Sequence, residues 1–349
     1  MFKHWFSKKP KTFAPTVKGS GPTLSFVVIG YDMQREVLRT VESLSRRYQL
    51  QSEPVDYEVV VVDNASPEPL DLSAVGDIGV PLTVIRRDKA SVSPADAVNI
   101  GAARATGDYV AIMIDGARML SPGVVRGTFD ALALAAEPVV AVLGLHLGPA
   151  HQRQTVERGY SKGVEDRLLD SIHWPAHGYK LFEIAAWGGS CAAGWLGIAA
   201  ESNCICVSRG LFEELGGFDE GFRMPGGGLV NLDFYKRAVE HARTTLIYLV
   251  GEGCFHQLHG GVTTGKKQEG HTFADLNEEY RQLRGEGFTA PTEAPVLFGR
   301  LNPMHAPALL NACQKVLDTH PLTTVEEKCA PFLEAGLAGA GRERGNGSE

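Results

Sequence analysis

Continuous apolar runs alternate with amphipathic segments from residue 24 onward, and this pattern constrains the fold more than any other feature. LSFVVIG (24–30) and EVVVVD (58–63) lack the polar–apolar alternation of a half-exposed strand, so both read as strands buried on two faces. Between them, MQREVLRTVESLSRRYQL places Val37, Leu38, Val41, Leu44 and Tyr48 on one helical face. LTVIRR (82–87) is a third buried run, DYVAIMID (108–115) a fourth and VVAVLGLH (139–146) a fifth. Ser93-Pro94 and Ser121-Pro122 each open a helix, with serine as N-cap and proline in the first helical position. This alternation predicts an α/β fold, a mostly parallel sheet with helices on both faces, and places the ligand at the carboxyl ends of the strands. Those ends carry Gly30-Tyr31-Asp32, Asp63-Asn64, Arg87-Asp88-Lys89 and Asp115. One such cluster is ordinary turn chemistry. Four at four strand ends point to a site.

The second half is less regular. A helix is expected near 161–173, a strand at NCICVS (203–208) and a short helix at SRGLFEELGGFDE that stops at Gly216-Gly217. A Gly-rich loop then enters the helix of MPGGGLVNLDFYKRAVEHA, and TLIYLVG (245–251) is a strand. Helices follow near 272–284 and 304–318. Asn231 as N-cap and Asp233 in the first turn are good helix-start chemistry. Asn99, inside a predicted helix, is expected to bond loop backbone.

The net charge of -7 argues against a general nucleic-acid partner, which would show a basic excess. Six cysteines with no CxxC pair fit a reducing, cytoplasmic setting, with Cys204 and Cys206 as small core residues. MFKHWFSKKPKTF has no apolar core for a signal peptide, and the Gly-rich stretch 184–200 is short for a membrane span. The first 22 residues form a basic, aromatic arm that suits a disordered tail or peripheral contact with the inner face of an anionic membrane.

Five segments, in order, resemble the family 2 glycosyltransferases of GT-A fold. They are FVVIGYDMQREVLRTVESL, VVVVDNAS, DKASVSPADAVNIGAARATGDYVAIMID, CVSRGLFEELGGFDEGF and FHQLHGGVT, spanning roughly residues 24–265. The resemblance implies a Rossmann-like, mostly parallel sheet with an acceptor-side subregion and C-terminal helices. It divides the chain into a disordered arm (1–22), a nucleotide-sugar-binding half (23–146), an acceptor-binding and catalytic half of the same domain (147–270), C-terminal helices (271–335) and a disordered tail (336–349). It implies transfer of a sugar from a nucleotide-diphosphate donor, a UDP-sugar foremost, to a hydroxyl acceptor with inversion, as in surface polysaccharide or glycoconjugate synthesis. Nucleotide contacts carry over to Gly30, Tyr31, Asp32, Asp63, Asp88, Lys89 and Asp115. A carboxylate can accept from ribose hydroxyls or a base N–H, and an exposed tyrosine offers a stacking face.

Two departures matter. The family's DxD pair would fall on 115 and 117, and Ala117 cannot ligate a metal. One reading keeps a reduced Mn²⁺ or Mg²⁺ site of Asp115 with His259 or His256, the diphosphate supplying the remainder. The other dispenses with metal and stabilises the diphosphate with Arg118, Lys266 and Lys267. The family's Glu-Asp pair would fall on Val230 and Asn231, which leaves Asp233 as the expected base. Asp219 and Glu220 are the alternative acids, expected with Trp195 on the acceptor side; His256 could also take a proton. The lost second acid of the DxD and the lost Glu-Asp pair leave a non-catalytic nucleotide-sugar scaffold or sensor as the alternative. A nucleotidyltransferase of similar fold is disfavoured, because no Gly-rich triphosphate loop with a lysine is present.

Overall fold

The computed structural model describes residues 23–260 and 272–319. The arm 1–22, Lys266, Lys267 and the tail 336–349 therefore lie outside the described residues. In chain order the elements begin β1 (Leu24–Gly30), α1 (Gln34–Ser43), β2 (Tyr57–Asp63), β3 (Leu82–Arg86), α2 (Ala95–Arg104) and β4 (Tyr109–Met113). Next come β5 (Arg118–Leu120), α3 (Val124–Ala131), β6 (Pro138–Val142), β7 (Gly144–Leu147), α4 (Gln152–Val156), α5 (Lys162–Ser171) and β8 (Ala185–Trp187). The remainder is β9 (Cys204–Ser208), α6 (Arg209–Glu214), α7 (Val230–Val239), β10 (Thr245–Val250), β11 (Cys254–His256), α8 (Phe273–Arg284), β12 (Val296–Gly299) and α9 (Ala306–Thr319).

Eight strands form one sheet in the order β12-β10-β6-β9-β4-β1-β2-β3. All pairings are parallel except the two made by β9, which runs antiparallel to both β4 and β6. Residues of β1 and β2 alternate between two apolar layers. Val27, Ile29, Val60 and Val62 pack with α2, α6 and α7, while Phe26, Val28, Val59 and Val61 pack with α1 and α3. The continuous apolar runs thus reflect burial on both faces. LTVIRR differs: β3 is the sheet edge, with Val84 exposed.

A second sheet, β5-β11-β7-β8, was not foreseen. Its strands are three or four residues long, too short to show a period. VVAVLGLH, expected as one strand, breaks at Leu143, so β6 joins the large sheet and β7 the small one. The C-terminal region holds not only helices but also β12, which extends the large sheet beside β10. Cys204 and Cys206 are buried and free, as expected of core residues. Among the described residues, no helix is long and apolar enough to cross a membrane.

Candidate active site

The strands that run with β1 end along one edge, at Gly30, Asp63, Arg86, Met113, Val142, Val250 and Gly299. Strand β9 lies reversed between β4 and β6, so it begins at this edge rather than ending there: Cys204 pairs with Val142 and Ile205 with Ile112. Residues 201–203 therefore arrive beside the turn that follows β4, where Asp115 sits.

That turn is tightly held. The Gly116 N–H donates to the carbonyl of Ile29 at 2.6 Å, and a Cβ on Gly116 would meet that oxygen at 2.7 Å, so only glycine lets the chain pass. The Thr40 hydroxyl donates to the Gly116 carbonyl and accepts from the Arg118 N–H, tying the turn to α1. Ala117 is fully buried in the apolar layer under α1 and α3. The second acid position of a DxD thus points into core here, and the Ala117 N–H donates instead to Asp115 Oδ1 at 3.0 Å.

The small sheet supplies the rest of the cluster. Register pairs His256 with Arg118 on one side and with His146 on the other, which puts three polar side chains in one row. His256 Nε2 lies 2.9 Å from Asp115 Oδ2 and His259 Nε2 lies 3.8 Å from Asp115 Oδ1. The Arg118 Nε is 3.3 Å from Asp115 Oδ2. Burial would raise the Asp115 carboxyl, but the neighbouring His259 and His256 and the Arg118 guanidinium outweigh it and hold the group well below the usual carboxylate range. Burial, then the charge of Arg118, pushes His256 down to about 4. At neutral pH the pair is a carboxylate facing a neutral imidazole.

Whether these residues fit a metal turns on Gln152. Its Nε2 donates to the His256 carbonyl at 3.0 Å, so its Oε1 faces His256 Nδ1, 2.6 Å away, and must accept. His256 therefore carries its proton on Nδ1 and presents a lone pair at Nε2 toward Asp115. Two electron-pair donors 2.9 Å apart suit a shared cation. One atom each from Asp115, His256 and His259 lies within 4.8 Å of the other two, and the Gln152 contact is the outer support a metal-bound imidazole needs. The donor set fits Mn²⁺ or Mg²⁺, and of the two Mn²⁺ better accepts imidazole. Arg118 already balances the Asp115 charge, so a divalent ion would need anionic oxygens from a ligand as well.

On the donor side, the structure separates the expected contacts. Tyr31, Asp32, Asp88 and Lys89 are exposed at the carboxyl edge of β1 and β3. Asp32 adopts φ +50°, held by its N–H donating to Ser66 Oγ at 3.0 Å. Asp63 is turned inward and 1% exposed. Its Oδ1 accepts from the Ser66 N–H, and its Oδ2 from the Leu70 N–H and from Arg86. Its expected role is corrected: it shapes the 64–70 loop rather than facing a base. Gly30 is likewise a packing position, since a Cβ there would meet Leu70 Cδ1 at 2.9 Å.

The expected acceptor-side residues also need correction. Asp233 is fully buried, and Arg237 and Arg284 occupy both its oxygens at 2.6–2.8 Å. A carboxylate so enclosed has no open face for a substrate hydroxyl. Asn231 does not cap α7, which starts at Val230; its amide donates to Glu201 Oε2 at 2.7 Å and to the Ser202 carbonyl. Asp219 accepts from the Gly221 N–H and pairs with Arg284. Glu220 accepts from Asn99, whose amide also grips both backbone groups of Phe218. Asp219 and Glu220 line a cavity of about 560 Å³ with Asn99, Arg237 and Arg284, sharing no lining residue with the Asp115 cluster. Trp195 is 3% exposed, edge-on to Trp187 at 5.0 Å, and belongs to the core.

His146, Gln152, Glu201 and Asn203 were not singled out in the sequence. His146 closes the apolar run VVAVLGLH as Asp115 closes DYVAIMID, and that position was the one available clue. The other three are brought in by the reversed strand and by a five-residue helix.

A family model described as "Glycosyl transferase family 2" matches residues 25–115, which takes in β1 to β4 and ends on Asp115. No curated protein matches the chain. Among solved structures, the 1–349 segment of S. aureus TarS in complex with UDP-GlcNAc aligns at 14% identity over 88% of this chain and 77% of that one, with a TM-score of 0.47. The mannosyltransferase PcManGT from Pyrobaculum calidifontis, in complex with GDP-Man and Mn²⁺, aligns at 18% identity over 95% and 84%, with a TM-score of 0.44. Against a longer structure of S. aureus TarS the identity is 13%, with 74% of this chain covered and a TM-score of 0.46; the chain spans only 42% of that protein's length.

Proposed function

We propose that this chain transfers a sugar from a nucleotide-diphosphate donor to a hydroxyl acceptor, with inversion at the anomeric carbon, in surface polysaccharide or glycoconjugate synthesis. One observation carries the reading. The segment that matches the glycosyltransferase model ends on Asp115, and Asp115 stands with His256, His259 and Arg118 at the sheet edge where a nucleotide would lie. Tyr31, Asp32, Asp88 and Lys89 border the same edge and would hold base, ribose and phosphate. Arg118 supplies a fixed positive charge for the diphosphate that leaves. A divalent ion held by Asp115, His256 and His259 would add Lewis-acid stabilisation of that leaving group. Gln152 fixes the ring of His256 so that its lone pair faces the ligand.

Thermal melting with UDP, GDP, dTDP and CDP, each with Mn²⁺, with Mg²⁺ or with EDTA, tests the reading. A nucleotide at about 100 times its Kd stabilises by roughly 2.7 kcal/mol. The charge balance around Asp115 predicts that Mn²⁺ alone shifts the melt little, and that Mn²⁺ with the right nucleotide shifts it more than the two separate effects added. A shift indifferent to EDTA would move the leaving-group role onto Arg118 alone. No shift with any nucleotide would sink the transferase reading.

The second reading is a nucleotide-sugar scaffold, favoured by Ala117 and Asn231 standing where the family's acids would be. It predicts the same binding with no sugar released.

A further inference from the structure

If the chain transfers sugars as proposed above, the acceptor hydroxyl must lose a proton as it attacks, and neither Asp233 nor Asn231 can take it. Four acids of the second half fail on their contacts. Asp233 lies beneath two guanidiniums; Asp219 pairs with Arg284 and Asp166 with Arg35 and Arg39. Glu252 is enclosed by Ser121, Gly123 and Tyr179.

We infer that Glu201 is the catalytic base, placed at the ligand edge by the reversed β9 and oriented by Asn231 and Ser190. Glu201 is partly exposed. Its Oε2 accepts from the Asn231 amide and its Oε1 from the Ser190 hydroxyl, both at 2.7 Å. Among the described residues it makes no ion pair. Two neutral donors orient the carboxylate, and each oxygen keeps a second lone pair.

Polar side chains also lie between Glu201 and the Asp115 cluster. The Asn231 amide reaches Asn203 Oδ1 at 3.5 Å. The Asn203 amide nitrogen and Arg118 Nη1 both lie 3.7 Å from the place a Cβ on Gly144 would occupy. Arg118 then meets Asp115. The missing side chain of Gly144 leaves room between the Asn203 amide and the Arg118 guanidinium. In the step itself, an acceptor oxygen lone pair forms the new bond to the anomeric carbon. The bond from that carbon to the diphosphate oxygen breaks, its electron pair leaving with the diphosphate, and the hydroxyl proton passes to a Glu201 oxygen.

The experiment measures nucleoside diphosphate released from UDP-glucose, UDP-N-acetylglucosamine and GDP-mannose, with water as acceptor, on the full chain. A general base contributes on the order of 10²–10⁴ in rate. Glu201→Gln should therefore lower release at least about a hundredfold while keeping the wild-type melting shift with nucleotide. Added formate should restore part of the lost rate in Glu201→Ala, which a merely structural carboxylate would not show. Release by wild type that Glu201→Gln leaves within threefold overturns this assignment and leaves the transfer reading standing. Loss of nucleotide binding in Glu201→Gln, or no formate rescue, also overturns it. A wild type that releases nothing from any of the three donors overturns the transfer reading, and Glu201 with it.

Discussion

Replacing Asp233 by asparagine separates two roles that the sequence alone confounds. In the structure, Arg284 donates to Asp233 Oδ1 at 2.6 Å and to Oδ2 at 2.8 Å, and Arg237 donates to Oδ2 at 2.8 Å. The carboxylate has no exposed surface, whereas the two arginine side chains are about a quarter exposed. Asparagine keeps the shape but removes the charge and turns one N–H₂ toward a guanidinium. Breaking a buried pair costs about 3–5 kcal/mol. Two features pull the cost toward the lower limit: Arg284 keeps Asp219, and Arg237 keeps the carbonyls of Leu215 and Gly217. We take about 3 kcal/mol, after discounting for the exposed arginine surface. With roughly 2 cal/mol/K of unfolding entropy per residue, that lowers Tm by about 4 °C. Calorimetry on wild type and Asp233→Asn measures the loss, and nucleoside diphosphate release at 20 °C measures the consequence for chemistry. The expected pattern is a lower Tm with release within about threefold of wild type. An unchanged Tm with release down a hundredfold would refute the reasoning and return Asp233 to the role of base.

Two further outcomes follow from buried groups. Ala117→Asp restores the family's acid pair in sequence, yet its carboxylate would enter the apolar layer under α1; we expect a loss of roughly 3 kcal/mol or more and no gain in Mn²⁺-dependent nucleotide binding, both read from thermal melts. Glu252 accepts from Ser121, Gly123 and Tyr179, and burial pushes its pKa up from 4.5 to about 7. A carboxyl that holds its proton more tightly when folded stabilises the fold below its unfolded value, and that contribution declines as pH rises from 4.5 to about 7, by an amount on the order of 3 kcal/mol. Urea unfolding across pH 5–8 should show this slope in wild type and a flatter one in Glu252→Gln; equal slopes would refute it.

Strands β1, β2 and β4 were legible because burial on both faces leaves an uninterrupted apolar run, and α1 because its apolar stripe has a helical period. Asp115 was legible as the polar residue that closes such a run. What escaped was direction and depth. NCICVS reads as a strand, but nothing in its composition says that it runs against β4 and β6, and that reversal is what carries Glu201 and Asn203 to the edge where Asp115 sits. Asp63 and Asp233 have the right residue type in the right place along the chain, yet both are turned inward onto arginines and backbone N–H groups. Whether an acid meets solvent or a guanidinium depends on partners distant in sequence: Arg284 lies 51 residues beyond Asp233. The strands of the small sheet were too short to carry a pattern at all.

The reversed β9 also has a mechanical consequence. Its backbone is laced on one side to β4 and on the other to β6, so the residues just before it and the turn just after β4 belong to one stiff frame. The spacing between Glu201 and the turn that carries Asp115 is then set by rows of main-chain hydrogen bonds, not by the closing of a loop. Such a frame would keep Glu201, the base inferred above, at a fixed separation from the Asp115 turn as a ligand enters or leaves.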